Sequence, residues 1–127
     1  MATVDVTKDT LEDIVTKNDM VILDFWASWC GPCKSFAPVF DAASEKHPDI
    51  VFGKVNSDAE QELAGAFNIR SIPHVMFLRE RVVLFSQAGA LPPEGLESII
   101  QQARALDMDK VRKDIAEQPP KQESADS

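Results

Sequence analysis

The sequence predicts an α/β fold in which a mixed β-sheet forms the middle layer of a three-layer sandwich. Residues 20–26 are apolar at every position except Asp24, a pattern typical of a strand buried on both faces. A helical segment and a second strand at residues 50–56 follow, and such a β-α-β unit pairs its strands in parallel. Two strand signals at residues 75–78 and 82–85 are so close that they form an antiparallel hairpin. Both kinds of pairing in one sheet, with helices on either side, define this architecture.

The first two predicted elements are a short edge strand and a helix. Val4 and Val6 alternate with polar neighbours, as expected for a strand with one face in solvent. Apolar residues then recur at helical spacing at Leu11, Ile14 and Val15. Asp9 precedes Glu12 by three residues, which resembles a capping box at the start of this helix.

Two further helices lie on either side of the second strand of the β-α-β unit. The first runs from the cysteines to about Lys46, and Pro38 within it predicts a kink. Its apolar positions are Phe36, Val39, Phe40 and Ala43. The other helix is short and ends near Asn68. Its apolar positions are Leu63, Ala66 and Phe67.

The loop of the hairpin, residues 79–81, contains neither glycine nor asparagine, although tight primed turns favour both. We therefore expect a longer or bulged connection between the two strands.

The last helix opens with the proline pair at residues 92–93 and packs on the sheet. Its apolar positions are Leu96, Ile99, Ile100 and Ala103. Helical spacing then continues through Met108, Val111 and Ile115. We expect a single domain over residues 1–106, an extension of the last helix over 107–117 and a disordered acidic tail over 118–127.

Composition limits the classes of function. A chain of 127 residues with 44% hydrophobic residues is long enough for one domain with an ordinary core. The net charge of −8 disfavours nucleic acid and anionic membranes as partners. No secretory signal and no apolar run of transmembrane length is visible. We therefore expect a cytoplasmic protein, in a compartment where thiols are kept reduced.

Both cysteines of the chain lie in one pentapeptide, Trp29 to Cys33, directly after the central strand. Two thiols at this spacing, on a turn that enters a helix, can form and reopen a small disulfide ring. A cysteine at a helix N-terminus has its pKa lowered by unpaired N–H groups and the helix dipole, and Cys30 lies where this field is strongest. Pro32 fits the first helical turn. Cys33, one turn further in, should be the more buried thiol.

Two other interpretations of the cysteine pair are a structural disulfide and half of a zinc site. A loop this short constrains the unfolded chain little, so a structural disulfide explains little. A zinc site needs two more ligands, and the chain offers only His47 and His74 as nitrogen ligands, with no second C-x-x-C pair. The pair is therefore interpreted as chemically active, and no metal site is expected.

Asp24 is the one charge in a strand that otherwise has the pattern of complete burial. Burial of a lone carboxylate is costly, so its pKa should rise. Carboxylates with perturbed pKa values cluster at functional sites. The alternative is a solvated position at the edge of the sheet.

Residues 24–34, Asp-Phe-Trp-Ala-Ser-Trp-Cys-Gly-Pro-Cys-Lys, with Pro38 following, resemble the active-site segment of the thioredoxin family. Residues 71–73, Ser-Ile-Pro, resemble the cis-proline loop of that family, and Gly89 resembles its glycine after the last strand. The resemblance covers residues 3–106, roughly, and implies a thioredoxin-like sandwich.

The resemblance implies roles for residues around the cysteines. Cys30 is the nucleophile and Cys33 the resolving thiol. Asp24 lies beneath them and accepts or relays a proton, with Lys54 as its partner. The alternative for Lys54 is a lysine at the end of a strand without this role. Trp26 covers Asp24.

The resemblance also implies a substrate-binding surface. The backbone of Ile72, before a cis Pro73, pairs with an extended substrate segment, and Trp29 touches the substrate or shields the thiolate. The other implied substrate-binding positions are Gly31, Pro32 and Gly89. His74 replaces a threonine common in the family, and an imidazolium there would favour the Cys30 thiolate and raise the reduction potential. The alternative for this histidine is a packing role alone.

The activity implied by the resemblance is reduction of protein disulfides by dithiol exchange, without a bound cofactor. The implied partners are disulfide-containing proteins and an NADPH-dependent thioredoxin reductase, and we expect a monomer. The Gly-Pro pair between the cysteines resembles the reducing members of the family more than its oxidases or isomerases. The alternative is a thioredoxin-fold partner-binding or chaperone-like module that docks through its last helix.

Overall fold

The computed structural model describes residues 2–117. The secondary-structure elements in this range are β1 Thr3–Asp5, α1 Lys8–Lys17, β2 Met20–Trp26, α2 Gly31–Lys46, β3 Val51–Asn56, α3 Gln61–Ala66, β4 His74–Arg79, β5 Val82–Ala88, α4 Pro93–Ala105 and α5 Met108–Glu117.

The strands form one five-stranded sheet with the order β1-β3-β2-β4-β5. β3 pairs in parallel with both β1 and β2, whereas β4 pairs antiparallel with β2 and β5. The β-α-β unit and the hairpin therefore meet at β2, in the centre of the sheet. The predicted mixed sheet is confirmed.

Both faces of β2 are buried, because its successive side chains point to opposite sides of the sheet. On one face Ile22 packs with side chains from α2 and α4, among them Phe36, Phe40, Leu96 and Ile100. On the other face Leu23 and Phe25 pack with side chains from α1 and α3, among them Leu11, Ile14, Leu63 and Ala64. These two apolar clusters hold the three layers together and explain the uninterrupted apolar character of β2.

The ends of two helices differ from the sequence-based predictions. The N-cap of α1 is Thr7, whose backbone N–H donates to Thr10 Oγ1 at 2.9 Å, so the prediction of a cap at Asp9 is wrong. The third helix ends at Ala66, before the predicted end near Asn68. Asn68 has a φ of 59°, and this left-handed conformation cannot continue a right-handed helix.

The turn between β4 and β5 is tighter than its sequence predicts. Only Glu80 and Arg81 connect the strands, with φ values of 52° and 69° that are typical of a primed turn. The Glu80 N–H donates to Asp19 O at 2.7 Å, and the Arg81 guanidinium donates to Glu12 Oε2 at 3.0 Å. These contacts with the α1 region hold both residues in a conformation disfavoured for L-amino acids. The expected longer loop is therefore wrong, although β5 carries an irregularity in register beside Leu78.

The sequence pattern predicted that α4 continues as one longer helix, and this prediction is wrong, because α4 ends at Ala105. Arg79 of β4 donates from Nη1 to the carbonyl oxygens of Ala103 and Leu106 at 2.9 and 3.1 Å. These hydrogen bonds pair carbonyl oxygens that have no partner within the helix at the C-terminus of α4. Leu106 has an extended ψ of 140°, so the chain leaves the helix axis there.

A separate helix, α5, follows this break and packs back on the domain. Met108 at its start is only 5% exposed, and Arg112 forms an ion pair with Glu80 in the β4–β5 turn. Residues 118–127, predicted to be a disordered acidic tail, lie outside the described residues. The domain boundary near residue 106 stays a prediction.

Gly53 of β3 provides a test of this packing. A Cβ atom there would lie 2.5 Å from Val6 Cγ2 and 3.0 Å from Leu23 Cδ2, closer than real side chains approach. Gly53→Ala should therefore destabilise the protein by about 1–3 kcal/mol, measured by urea unfolding. As a control, Gly65→Ala places a Cβ with no atom within 4 Å inside α3. The control should stabilise the fold by about 0.5–1 kcal/mol. Equal effects of the two substitutions would contradict the packing described.

Candidate active site

The two cysteines lie at the N-terminus of α2, just beyond the end of β2. Cys30 is the N-cap residue, and its Sγ accepts the backbone N–H of Cys33 at 3.1 Å. Pro32 occupies the first turn, where the missing N–H has no partner to lose. The N–H donor and the positive end of the helix dipole both favour negative charge on Cys30 Sγ.

Cys30 and Cys33 form a disulfide, with their Cα atoms 5.2 Å apart. Each residue is only 3% exposed, so the prediction that Cys33 is the more buried one is wrong. The side chains of Trp26 and Ile72 pack against the pair and cover it on two sides. The two cysteines are equally buried because neighbouring elements enclose them both. The position of a residue on the helix does not reveal this enclosure.

The loop before β4 lies against the cysteines. Its Ile72–Pro73 peptide bond is cis, as predicted. The carbonyl oxygen of Ile72 is 3.7 Å from Cys30 Sγ. The Gly89 N–H donates to Pro73 O at 2.7 Å, and Gly89 has a φ of 110° that side chains rarely permit. The structure thus places Ile72 next to Cys30 and joins Gly89 to the same loop through Pro73.

Trp29 projects from the surface beside the cysteines and is 68% exposed. Its Nε1–H donates to Asp58 Oδ2 at 2.8 Å, while the side chain of Asn56 accepts the Asp58 N–H at 3.0 Å. Gly31 and Pro32 are exposed on the same stretch of chain. Our sequence analysis did not identify Asp58. The available signal was its place just after β3, at the sheet edge where β2 also ends.

A groove of about 310 Å³ opens between Trp29 and the loop that carries Ile72. Its apolar lining includes Ala64, Gly65 and Ile69, and Arg70 contributes a positive charge. An exposed aromatic ring therefore lies beside a shallow groove with an apolar lining and one positive charge.

Asp24 is completely buried, and neither of its carboxylate oxygens has a hydrogen-bond partner. Burial raises its pKa to about 7, with the Lys54 ammonium acting in the opposite direction and the Asp41 carboxylate adding to the rise. The predicted rise in pKa is confirmed, and the alternative of a solvated edge position is wrong.

Lys54 lies opposite Asp24 in the register of β2 and β3. Its Nζ is 5.5 Å from the centre of the Trp26 ring, within range of a cation–π attraction. Trp26, Lys54 and Cys33 together line a pocket of about 270 Å³. Cys33 and Lys54 therefore border the same pocket.

His74 occupies a half-buried position at the start of β4. Its ring packs edge-on against Phe25, with centroids 6.2 Å apart, and its Nε2 is 2.7 Å from Ser86 Oγ. Phe25 belongs to the face of the sheet that packs on α1 and α3, whereas the cysteines begin α2 on the other side. Burial lowers the pKa of His74, so the imidazole is neutral at pH 7.

Metal-binding side chains are dispersed in the part of the chain that the structure describes. Between residues 2 and 117 no group of three or more His, Cys, Asp or Glu side chains could hold a metal ion. His47, one of the two candidate nitrogen ligands, bonds through Nε2 to Glu97 Oε1 at 2.9 Å instead. Over the same range, no helix combines the length and the apolar character needed to cross a membrane.

Comparison with protein-family models matches residues 2–102 to the family described as Thioredoxin. The chain belongs to the thioredoxin family. It is 56% identical over 117 residues to "Putative thioredoxin 2" of Streptomyces coelicolor, covering 92% of this chain and 87% of that relative. It is also 41% identical over 93 residues to a thioredoxin of Haemophilus influenzae, covering 72% of this chain and 87% of the relative.

Solved thioredoxin structures share the fold. Thioredoxin F of spinach chloroplast superimposes with a TM-score of 0.75 at 35% identity, covering 82% of this chain and 96% of that one. The thioredoxin of Plasmodium falciparum gives a TM-score of 0.73 at 30% identity, with coverages of 79% and 97%. The predicted thioredoxin-like sandwich is confirmed.

Membership of the thioredoxin family, together with a cysteine pair at disulfide distance, identifies a protein-disulfide oxidoreductase of the thioredoxin type. The chemistry is thiol–disulfide exchange, in which two sulfur atoms carry both electrons. Such proteins act on disulfide-containing substrates and have a reductase as a partner.

The buried carboxyl of Asp24 predicts a pH dependence of stability that Asp24→Asn should remove. The unfolded carboxyl titrates near its ordinary pKa of about 4, whereas the pKa in the folded protein is about 7. Between these values the folded state binds more protons, so its stability falls as the pH rises. Relative to Asp24→Asn, the parent should lose up to roughly 4 kcal/mol over this range, measured by urea unfolding at each pH.

Asp49 supplies a control of opposite sign. Its hydrogen bonds from Arg104 hold its pKa at about 2, so its contribution to stability is lost as the pH falls below its ordinary pKa. Asp49→Asn should therefore alter the pH dependence only in acid. The difference in stability between the parent and Asp24→Asn should therefore change between about pH 4 and 7. A constant difference over this range would show that the pKa of Asp24 is not raised in the folded protein.

Proposed function

We propose that this chain reduces protein disulfides, with Cys30 as the nucleophile and Cys33 as the resolving thiol. The observation that carries this assignment is the position of Cys30 Sγ, which caps α2 and accepts the Cys33 N–H. A sulfur in this field is stabilised as the thiolate, and the thiolate is the attacking species. Cys33 lies inside the first turn, past the strongest part of the field.

The proposed reaction has two exchange steps. The Cys30 thiolate first attacks one sulfur of the substrate disulfide, so that a mixed disulfide forms and the other substrate sulfur leaves as a thiolate that water protonates. The Cys33 thiolate then attacks Cys30 Sγ and releases the second substrate thiolate. Two electrons pass from the dithiol to the substrate. The protein is left with the Cys30–Cys33 disulfide, the state in which the structure is described.

We assign Asp24 as the acceptor of the proton that Cys33 must lose before the second step. A carboxylate with a pKa of about 7 is a stronger base than an ordinary one. Its pKa is also closer to the pKa of the thiol that it would deprotonate, which makes the proton transfer easier. Lys54 lowers the pKa of Asp24 and thereby keeps part of it ionised at neutral pH. Trp26 lines the pocket between Lys54 and Cys33 and so limits the water around this exchange.

We assign the surface around Cys30 to substrate binding. The carbonyl of Ile72 beside Cys30 Sγ supports a path on which an extended substrate pairs with the loop before Pro73. Trp29 supplies an aromatic surface at one side of this path. The remaining proposed substrate-binding positions, which leave the approach unobstructed, are Gly31, Pro32 and Gly89.

The biological setting follows from the chemistry. The dithiol must be regenerated, and we propose an NADPH-dependent thioredoxin reductase as the source of electrons. A reducing compartment such as the cytoplasm favours the dithiol form. We propose that the protein acts as a monomer without a bound cofactor, and that its net charge of −8 keeps it from nucleic acid and anionic membranes.

Single serine substitutions should separate the roles of the two cysteines. Cys30→Ser should abolish insulin reduction driven by dithiothreitol, because no attacking thiolate remains. Cys33→Ser should accumulate a mixed disulfide with the substrate, because attack occurs and resolution does not, and mass spectrometry of the trapped species measures this. Faster alkylation of Cys33 than of Cys30 in the reduced parent would reverse the assignment. A partner-binding module would retain its effect when both cysteines are serine.

His74→Thr should test whether the histidine tunes the cysteines. Because burial lowers the pKa of His74, the ring is neutral at pH 7 and the substitution should leave the reduction potential unchanged there. In more acidic solution the parent should have the higher potential, since an imidazolium favours the Cys30 thiolate. Equilibration with glutathione buffers across the acidic range measures both values. The same potential at every pH would leave His74 with a packing role only.

A further inference from the structure

Lys34 on α2 is a charged residue beside the cysteines, and the reaction described so far does not use it. It is exposed and borders the pocket of about 270 Å³ that Trp26 and Cys33 also line. Its backbone N–H donates to Cys30 O at 3.2 Å, so Lys34 lies one helical turn from the proposed nucleophile. An ammonium this close to Cys30 can contact a polypeptide that is joined to Cys30 Sγ.

The ammonium of Lys34 forms no ion pair with another residue in the range 2–117. Residues three and four apart are neighbours on a helix surface, and the residues at these distances after Lys34 are the uncharged Ala37 and Pro38. The residues three and four before Lys34 are uncharged as well. The nearest acidic residue along α2 is Asp41, which lies roughly 10 Å further along the helix axis. The helix itself therefore leaves the charge of Lys34 unpaired.

Lys54 borders the same pocket, but carboxylates already surround its charge. It lies opposite Asp24 of β2 and Asp5 of β1 in the register of the sheet. It also borders a second pocket, which Asp5 and Glu60 line. Lys34 borders only the first pocket, and no acidic side chain belongs to the described lining there. Of the two lysines, Lys34 is therefore the one whose charge is free to meet a ligand.

The pocket at Lys34 and the groove beside Trp29 offer two separate surfaces to a polypeptide joined to Cys30, because their linings share no residue. In an extended segment, residues two positions apart point to the same side and lie about 6–7 Å apart. Side chains one helical turn apart, such as those of Cys30 and Lys34, have a similar spacing of about 5–6 Å. A residue two positions from the substrate cysteine is therefore placed to meet Lys34.

We propose that Lys34 is a specificity-determining residue, which pairs with an acidic side chain two positions from the cysteine under attack, so that the protein favours disulfides with acidic flanks. The inference rests on the proposed reductase function and deepens it by naming a class of substrate. Lys34 selects a carboxylate because it presents an unpaired ammonium in a pocket whose described lining holds no competing carboxylate.

The preference is local and small. The net charge of −8 repels acidic chains at long range, so an acidic preference requires a positive charge beside the reacting sulfur. Lys34 is exposed, and an exposed ion pair contributes little free energy because water and salt screen it. The pairing favours formation of the mixed disulfide and leaves the bonds that form and break in the two exchange steps unchanged.

The test is single-turnover reduction, in which the reduced full-length protein reacts with an oxidised peptide and mass spectrometry quantifies the products after an acid quench. Each peptide has one cysteine, and two identical peptides are joined by a disulfide. The two substrates differ only in whether glutamate or glutamine lies two positions before and after the cysteine. The parent should reduce the glutamate peptide about two- to fivefold faster at low salt, the range expected for an exposed ion pair. The preference should disappear at about 1 M salt, where charges are screened beyond about 3 Å.

Lys34→Gln should remove the preference, and Lys34→Glu should reverse it. The two rates are compared within each variant, so a change in the reactivity of Cys30 that affects both peptides equally cancels. Lys46→Gln is the matched control, because Lys46 is exposed in the last turn of the same helix, at the end far from the cysteines. It removes the same charge and should keep the preference.

Equal rates for the two peptides with the parent would overturn the inference. So would a preference that persists in Lys34→Gln, or one that Lys46→Gln removes equally. Each of these results would leave the reductase function standing, because the peptides are still reduced. If the parent reduced neither peptide and also failed to reduce insulin, the proposed function itself would be refuted, and the inference with it.

Discussion

The burial of β2 between two helical layers is the constraint on which the rest of this structure depends. β2 has a strand on each side and a helical layer on each face, so its residues 21–25, between the partly exposed Met20 and Trp26, have no free path to water. Asp24 within it is therefore desolvated, which is the main reason that its pKa lies near 7. The same strand leads directly into the cysteines and fixes where α2 begins. A single packing arrangement thus determines both the raised pKa of Asp24 and the point at which the chain enters the cysteine pair.

The enclosure of the cysteines has electrostatic consequences. Trp26 and Ile72 pack against the pair, so that the field of the α2 N-terminus and the charge of Lys54 are screened less there than at an open surface. Exposure is concentrated in Trp29 and its neighbours, on the outer side of the pair. The site therefore combines a weakly screened interior around the cysteine pair with an accessible rim at Trp29.

Local sequence rules failed where distant contacts were stronger. The turn at Glu80 and Arg81 lacks the residues that its backbone geometry favours, and contacts from Asp19 and Arg112 hold it instead. Helical periodicity continues past residue 106, yet α4 ends there because Arg79 of a neighbouring strand takes its terminal carbonyls. In both cases the residue whose contact determines the local structure is distant along the chain. Helical periodicity and turn propensity describe only neighbouring residues, so they cannot predict such a contact.

By itself, the sequence determined the mixed three-layer sheet, the central position of β2, the burial of Asp24 and the location of the reactive pair at a helix N-terminus. Each of these follows from a local pattern: hydrophobic period, segment length or the spacing of two cysteines. Only the tertiary structure decided that the two cysteines are equally buried, that Asp58 holds Trp29, and that His74 lies against Phe25. These features depend on which surfaces of different elements meet, and such contacts join residues that no local pattern relates.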